Sequence, residues 1–411
     1  MAKEFVEFNQ AYEKSLKGAN PTIKTEIVSL NDALGKVLSS DITVCKNLPA
    51  YDNAALDGFA FRYEDRAKRL KVAKVIYAGD VVEPMLGEGE CYKIMTGAKI
   101  PKDATSLVAV ENAIDFDGEF VTIPSDIPKG FAIRLQGEEA KVGEVCFAKG
   151  HKLTSRDIAV LASQGITHIE AYKPLTIAVL STGSELKEPW QSASDDEIYN
   201  CNSYGIVSSL KEMGFDARYI KAIPDNLEQT IEFVKALKSY DVIITSGGIS
   251  MGDADFVGQA FEANGLEKIF DGINIKPGKP MMVGVMQDTY VICLPGNPLT
   301  TLVNLRLFAV PIMLKLQGAS RYYHNIQIAQ NTDEFKIKPN RVNIVLGSLQ
   351  NGKLSATMNN KYGSGMITVV AKSNAMLITS PTKTLVADGE YVKIVEFDGL
   401  FGDEFIDVLN D

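Results

Sequence analysis

Apolar residues near the start of the chain recur at helical spacing and then give way to a strand-like pattern. The residues at this spacing are Phe5, Phe8, Tyr12 and Leu16. They predict an amphipathic helix that ends near Gly18. From about residue 48 to residue 134, short apolar runs separated by turn residues predict a β-rich segment, and helical signals return at residues 153–165. The simplest interpretation is a compact first unit interrupted by a β-rich insert.

Strand and helix patterns alternate from residue 175 to about residue 316. This alternation predicts a mostly parallel sheet with helices on both faces. The strands are predicted at residues 175–181, 217–223, 241–246, 268–270, 281–286 and 290–294. The helices are predicted at residues 202–213, 227–238 and 256–264, with a last one that has Pro298 in its first turn. Beyond these, the turn signals Asn351-Gly352 and Asp388-Gly389 predict hairpins in a small all-β domain.

These patterns predict a multidomain α/β protein. Its parts are a doubly wound, mostly parallel α/β domain, a β-rich inserted domain, a helical N-terminal unit and a small C-terminal all-β domain that is barrel-like. The predicted boundaries are residues 1–46 with 140–174, residues 47–139, residues 175–325 and residues 326–411. A chain of 411 residues is long enough for each part to bury its own core.

Charge and composition narrow the classes of function. The chain carries 42 Lys and Arg residues against 52 Asp and Glu residues, which gives a net charge of −10. A protein without a global positive field does not gather polyanions by counterion release. Nucleic acid is therefore excluded as a main partner.

Cysteine usage and the lengths of the apolar runs bear on the compartment. The five cysteines are widely spaced and include no CxxC pair, so we expect reduced and mostly buried thiols. No stretch approaches the ~20 apolar residues that span a bilayer. The first 20 residues also lack the apolar run of a signal peptide. A cytoplasmic protein without a membrane partner is the resulting expectation.

Polar and glycine-rich segments follow the predicted parallel strands. Because parallel sheets bind ligands at the carboxyl ends of their strands, these segments form the candidate site. They contain Thr182, Gly183, Glu185, Asp225, Gly247, Gly248, Ser250, Asp253, Asp255, Pro295, Gly296, Asn297 and Pro298. Glycines allow close backbone approach, and free amides at helix starts attract phosphate. Carboxylates at the same edge would repel a phosphate unless a hard cation such as Mg²⁺ intervened.

Two lysines in the stiff segment IKPGKP, Lys276 and Lys279, favour an anion-binding role. Structural roles are the alternative for the other candidates. Glycine loops after strands are common turns. Asp225 can cap the helix predicted at residue 227, and Asp253 or Asp255 can cap the helix predicted at residue 256. The coincidence of all these residues on one sheet edge favours a site for a phosphorylated small molecule with a metal.

Seven motifs in this chain resemble those of the molybdopterin molybdenumtransferase family, in the family's order and at its spacing. They are NLPAYDNAALDGFA, IMTGAKIP, IRLQGEEAKVGEV, VLSTGSEL, TSGGISMGDADF, IKPGKP and LPGNP. The resemblance implies the last step of molybdenum cofactor synthesis. In that step, molybdenum from molybdate is inserted into adenylylated molybdopterin, with loss of AMP and help from a divalent cation.

The resemblance also implies roles for individual residues. Catalytic roles fall on Asp57, Thr96, Glu185, Asp225 and Asp255, of which Glu185, Asp225 and Asp255 would also hold Mg²⁺. Ser250, Lys276 and Lys279 match the family's substrate and oxyanion positions, and Pro295 and Pro298 match its proline-rich loop. The loop residues indicated by the strand pattern complete the predicted substrate-binding set: Thr182, Gly183, Gly247, Gly248, Gly296 and Asn297. In the C-terminal domain, Arg341 and Ser364 match oxyanion-contacting positions in a loose alignment.

Partners follow from the same resemblance. It implies a homodimer whose site joins the α/β domain of one subunit to the β-rich domain of the other. Other cofactor-biosynthesis proteins and molybdoenzyme apoproteins are further implied partners.

The chain departs from the family pattern at three positions. Ala54 stands where Ser is usual, and Ser184 and Glu139 stand where Asp is usual. The change at Ser184 removes a candidate metal ligand. A molybdopterin adenylyltransferase, whose single domain resembles residues 175–316, is one alternative, although the extra domains argue against it. A gephyrin-like scaffold is the other, but this chain has no long linker.

Overall fold

A computed structural model describes residues 5–81, 83, 85–183, 185–223, 226–248 and 256–411. The chain divides into two compact units. Unit one comprises residues 1–40, 149–158 and 167–411, and unit two comprises residues 41–148 and 159–166. The finer division into four domains stays a prediction.

Unit two is built on a mixed five-stranded sheet. Its strands, in spatial order, are Ser106–Ala109, Gly58–Phe61, Glu90–Ile94, Arg69–Ile76 and Phe120–Thr122. Separate apolar clusters form around Ile94 and around Phe59, so each face of the sheet buries its own core. Two short ladders add to the unit: Asn53–Ala54 with Ile133–Arg134, and Ile42–Thr43 with Val145–Phe147. The predicted β-rich insert is therefore present.

The centre of unit one is a six-stranded sheet. Its strands, in spatial order, are Ala217–Ala222, Ile177–Ser181, Val242–Ser246, Thr289–Leu294, Met282–Met286 and Leu266–Asp271. The first four strands pair in parallel, Met282–Met286 runs antiparallel to Thr289–Leu294, and Leu266–Asp271 runs antiparallel to Met282–Met286. Alternate residues of the strand Ile177–Ser181 belong to different apolar clusters, Val179 to one and Leu180 to the other. Because both clusters are buried, the sheet is covered on both faces, as predicted.

Helices connect these strands and begin close to the predicted positions. They are Asn202–Glu212, Leu227–Ala236, Phe256–Ala263, Pro298–Asn304 and Val310–Leu316, and a π-helical turn at Leu305–Ala309 joins the last two. Pro298 lies in the first turn of its helix, where its missing N–H costs nothing. The helix Leu227–Ala236 is capped by Asn226, whose side chain accepts a hydrogen bond from the Gln229 amide. The N-cap residue of this helix is therefore Asn226, and not Asp225 as the sequence allowed.

The helical stretch Pro298–Leu316 is long and apolar enough to span a membrane by length and composition, contrary to expectation. Its most apolar window is 83% buried within the fold, so it is a core helix. Inside it, Arg306 is buried and donates hydrogen bonds to the carbonyls of Glu396 and Gly399, at 3.1 and 2.5 Å. Burial lowers the pKa of Arg306 to about 10.

The C-terminal strands close on themselves. Val342–Gln350, Lys353–Ala356, Gln327–Asn331, Tyr391–Glu396 and Ala375–Thr379 pair in that order, and the last pairs again with the first. The ring is the predicted barrel-like sheet. Smaller elements accompany it: strands Phe335–Lys336, Leu385–Val386, Tyr323–His324 and Phe401–Gly402, and helix Ile367–Ala371. The hairpin at Asn351-Gly352 is confirmed. The one predicted at Asp388-Gly389 is wrong, because its flanking strands pair with other strands.

At the N-terminal side, helix Phe8–Gly18 buries the predicted face, but Phe5 precedes the helix. The strand Thr25–Ser29 pairs with His168–Tyr172, and helix Ser155–Ser163 lies between them in the chain. None of the five cysteines, all within the described residues, forms a disulfide. Only Cys91 and Cys293 are fully buried, while Cys45 and Cys201 are exposed, so the expectation of mostly buried thiols is wrong.

Candidate functional site

A cavity of about 660 Å³ in unit one is lined by the loops after three parallel strands. These strands are Ile177–Ser181, Val242–Ser246 and Thr289–Leu294. The predicted site residues in its lining are Thr182, Gly183, Glu185, Gly247, Gly248, Pro295, Gly296, Asn297 and Pro298. Adjacent parallel strands end at the same sheet edge, which is why the loops meet. We call this space the first cavity.

Three glycines of the first cavity, Gly183, Gly247 and Gly248, have positive φ and no room for a Cβ. Gly247 has φ +86°, and a Cβ built on it would lie 2.5 Å from the Thr182 hydroxyl. Gly183 has φ +132°, and its Cβ would lie 2.7 Å from each carboxylate oxygen of Glu185. The Glu185 carboxylate therefore occupies the space above Gly183, which only glycine leaves open.

Glu185 is the predicted Mg²⁺ ligand that the structure describes, and it is exposed in the first cavity. Its carboxylate oxygens suit a hard cation. Asp225 and Asp255, the other predicted ligands, lie outside the described residues, as do Ser250 and Asp253. Within the described part of the chain, no group of three or more His, Cys, Asp or Glu side chains is placed to hold a metal.

Several residues that line the first cavity were not predicted from the sequence. They are Ser181, Leu186, Ile198, Tyr199, Asn200, Cys201, Asn202, Ile223, Ser246, Phe256, Val257 and Pro280. Asn202 is the clearest case, because its Nδ2 donates to Ser246 Oγ and to the Gly296 carbonyl, both at 2.7 Å. These bonds tie the start of a helix to the end of the strand Val242–Ser246 and to the loop at Gly296. The available signal was the polar run Tyr199-Asn200-Cys201-Asn202, which leads into the helix predicted from residue 202.

A second cavity of about 520 Å³ adjoins the first. It forms where the short strand Ile275–Lys276 pairs in parallel with the start of Val342–Gln350 and so joins the barrel. Its polar lining includes Lys276, Lys279, Asn297, Thr300, Arg341, Asn343, Asn360, Tyr362 and Ser364. The two predicted lysines thus share a cavity with the two loosely aligned C-terminal residues.

Positive charge is concentrated in the second cavity. Desolvation, with the nearby charges of Arg341 and Lys338, lowers the pKa of Lys276. The Nε atom of Arg341 is buried and has no hydrogen-bond partner among the described residues. Lys279 places its ammonium 3.7 Å from the centre of the Phe5 ring, a cation–π contact. An anion in this cavity would relieve the repulsion and give Arg341 a partner.

The two cavities share a wall made by Pro280, Pro295 and Asn297. Asn297 Nδ2 donates to Ser364 Oγ at 2.9 Å. Since Ser364 Oγ accepts this bond, its own hydroxyl hydrogen is left to donate to another acceptor. Because the wall is shared, only the side chains of Pro280, Pro295 and Asn297 would separate a ligand in the first cavity from a ligand in the second.

Asp57 and Thr96 lie in unit two and contact each other. The Thr96 amide and hydroxyl both donate to Asp57 Oδ1 at 2.7 Å. These bonds lower the pKa of Asp57, although its side chain is exposed. An exposed carboxylate held in one orientation is suited to contact a ligand.

The fold and the cavities of unit one define a class: an α/β protein with a glycine-rich small-molecule cavity beside a cationic one. Family models match three stretches of the chain. The MoeA N-terminal region (domain I and II) matches residues 6–165, a probable molybdopterin binding domain matches residues 178–315, and the MoeA C-terminal region (domain IV) matches residues 329–397.

Similar proteins cover nearly the whole chain. The molybdopterin molybdenumtransferase of Haemophilus influenzae is 31% identical over 404 residues, which are 96% of this chain and 99% of that protein. That of Staphylococcus epidermidis is 32% identical over 366 residues, 87% of each chain. A crystal structure of the molybdopterin biosynthesis MoeA protein from Pyrococcus horikoshii OT3 superposes with a TM-score of 0.83, at 26% identity over 96% of this chain and all of that one. The chain belongs to the molybdopterin molybdenumtransferase family.

Proposed function

We propose that this protein inserts molybdenum from molybdate into adenylylated molybdopterin and releases AMP, the last step of molybdenum cofactor biosynthesis. The observation that carries the proposal is the pair of adjoining cavities in unit one. One is lined by glycine-rich loops that suit a phosphorylated ligand, and the other by cationic groups that suit an oxyanion.

The second cavity is the proposed molybdate site. Lys276, Lys279 and Arg341 would neutralise the oxyanion, and Ser364 would donate its hydroxyl hydrogen. Charge-assisted hydrogen bonds of this kind are about twice as strong as neutral ones. Molybdate held there lies next to the wall shared with the first cavity, and so within reach of a pterin bound on the other side.

The first cavity is the proposed site of the nucleotide-capped pterin. The proposed contacts are Thr182, Gly183, Gly247, Gly248, Ser250, Pro295, Gly296, Asn297 and Pro298. Glu185, Asp225 and Asp255 would position the water that attacks the phosphoanhydride, and that attack breaks the bond to AMP. Asp57 and Thr96 are proposed to contact the same substrate.

Mg²⁺ is the proposed cofactor, with Glu185, Asp225 and Asp255 as its ligands. When bound, Mg²⁺ neutralises charge on the phosphate oxygens. The position of the Glu185 carboxylate, above a glycine and exposed to the cavity, supports this choice. Removal of divalent cations with EDTA is expected to abolish AMP release, and added Mg²⁺ is expected to restore it.

A cytoplasmic homodimer is the proposed state of the protein. Other cofactor-biosynthesis proteins and molybdoenzyme apoproteins are the proposed partners. Light scattering of the purified protein tests the dimer, for which the expected mass is twice 44.8 kDa. A mass of 44.8 kDa at micromolar concentration would contradict it.

A cell-free assay with purified protein, adenylylated molybdopterin and Mg²⁺ tests the function. AMP release is expected only when molybdate is added, and Glu185→Gln is expected to reduce it at least ~100-fold. Formation of adenylylated molybdopterin from ATP and molybdopterin would instead identify an adenylyltransferase. Absence of molybdate-dependent AMP release would contradict the proposal.

A further inference from the structure

Residues 186–199 form a segment outside the six-stranded sheet, and this segment makes one wall of the first cavity. Residues Leu186, Ile198 and Tyr199 of this segment line the cavity. Its two strands, Leu186–Lys187 and Ile198–Tyr199, contain two residues each and pair only with each other. So short a ladder is marginal alone, so the segment needs an anchor.

Glu188 supplies that anchor. Its carboxylate accepts hydrogen bonds from the hydroxyl of Tyr219 at 2.6 Å, the hydroxyl of Tyr204 at 2.8 Å and Nδ2 of Asn200 at 3.3 Å. Tyr219 belongs to the edge strand Ala217–Ala222, and Tyr204 to helix Asn202–Glu212. One carboxylate therefore ties the segment to a strand and to a helix of the α/β core.

The hydrogen bonds continue from Glu188 to the lining of the cavity. The hydroxyl of Tyr219 lies 3.0 Å from Ser181 Oγ, and Asn200 Nδ2 lies 3.4 Å from the same oxygen. Ser181 and Asn200 both line the first cavity and are 1% and 2% exposed. Ser181 ends the strand that leads into Thr182 and Gly183, so the cluster reaches the loop that carries Glu185.

We propose that Glu188, Tyr204 and Tyr219 form a positioning cluster that fixes the cavity wall and the Glu185 loop for the nucleotide-capped pterin. The inference rests on the proposed function and deepens it. None of the three lines the first cavity, so the cluster acts through Ser181, Asn200 and Glu185. A carboxylate that orients two phenols and an amide does so strongly, because each bond to it is charge-assisted.

The test compares steady-state kinetics with ligand binding. Glu188→Ala is expected to raise KM for adenylylated molybdopterin about tenfold and to leave the Kd of molybdate, measured by calorimetry, within about twofold of wild type. Tyr219→Phe should act in the same direction, and the double variant should be less impaired than the two effects combined. Arg218→Ala is the matched control. It alters the same strand, but its ion pair with Asp216 is exposed.

A structural role alone predicts a different outcome. It would weaken molybdate binding and pterin binding together, or would leave KM unchanged while lowering the unfolding temperature, and either result overturns the inference. Glu188→Gln keeps the size of the side chain and should raise KM about threefold, which provides a folded variant if Glu188→Ala is unstable. Failure of the wild type to release AMP would contradict the proposed function, whereas a normal KM in an active Glu188→Ala variant would contradict only the positioning cluster.

Discussion

Asp57 is exposed, yet Thr96 holds its carboxylate with two short hydrogen bonds. The bonds lower its pKa below the ordinary value of 3.8. Because the folded pKa is depressed, the stabilisation is present above the unfolded pKa and is lost as the pH falls through the folded pKa. Thr96→Val removes the hydroxyl donor and keeps the backbone donor.

We therefore expect Thr96→Val to unfold at a lower temperature than wild type at pH 7. The difference should shrink as the pH falls well below 3.8, because both proteins then carry a protonated Asp57. Calorimetry across this pH range measures it. A difference that stays constant down to the acid limit would mean that the hydroxyl acts through packing and not through the charge.

Lys276 carries a second prediction at the residue scale. Its pKa is lowered from the ordinary 10.5 by desolvation and by the charges of Arg341 and Lys338. It thus loses its charge at a lower pH than a lysine of ordinary pKa does, so molybdate affinity should fall as the pH rises through that lowered pKa. Lys276→Ala should weaken molybdate binding at pH 7 about tenfold or more.

Lys276→Arg is the matched control, because a guanidinium keeps its charge to a much higher pH. Molybdate affinity is measured by calorimetry from neutral pH up to pH 10.5, the ordinary pKa of lysine. It should decline less for this variant than for wild type. Equal declines in the two proteins would remove Lys276 from the oxyanion site.

At the scale of elements, the helical stretch Pro298–Leu316 joins the α/β core to the barrel through Arg306. Arg306→Met would leave the carbonyls of Glu396 and Gly399 without these donors. The expected loss in the free energy of unfolding is about 2–4 kcal/mol. Urea denaturation measures it, with the exposed Arg321→Met as a control that should change by less than about 0.5 kcal/mol. Equal stability of the two variants would contradict this role.

Elements with strong periodic patterns could be predicted from the sequence. The strand Val242–Ser246 starts with three apolar residues and is buried along its whole length, and its predicted start differs by one residue. Predictions from local sequence patterns were wrong where contacts between distant parts of the chain determine the structure. Phe5 fits the helical spacing, but Val6 is hydrogen-bonded to Gly272 and the helix starts later. The turn at Asp388-Gly389 is flanked by strands whose partners lie elsewhere in the chain.

At the scale of the whole molecule, the first cavity was predictable and the second was not. Loops after adjacent parallel strands must meet at one sheet edge, so Thr182 and Gly247 could be placed together from the strand pattern. The second cavity depends on the pairing of Lys276 with Asn343, which joins two distant parts of the chain and has no local signature. For the same reason the cluster around Glu188 is visible only in the structure.

The central claim is that two adjoining cavities hold the two substrates of one transfer reaction. Crystals soaked with molybdate and AMP test it most directly, because anomalous scattering locates molybdenum without ambiguity. The account predicts a molybdenum peak in the second cavity, with its oxygens within hydrogen-bond distance of Lys276, Arg341 and Ser364, and AMP against the glycine loops of the first cavity. A molybdenum peak elsewhere, or AMP bound outside the first cavity, would contradict it.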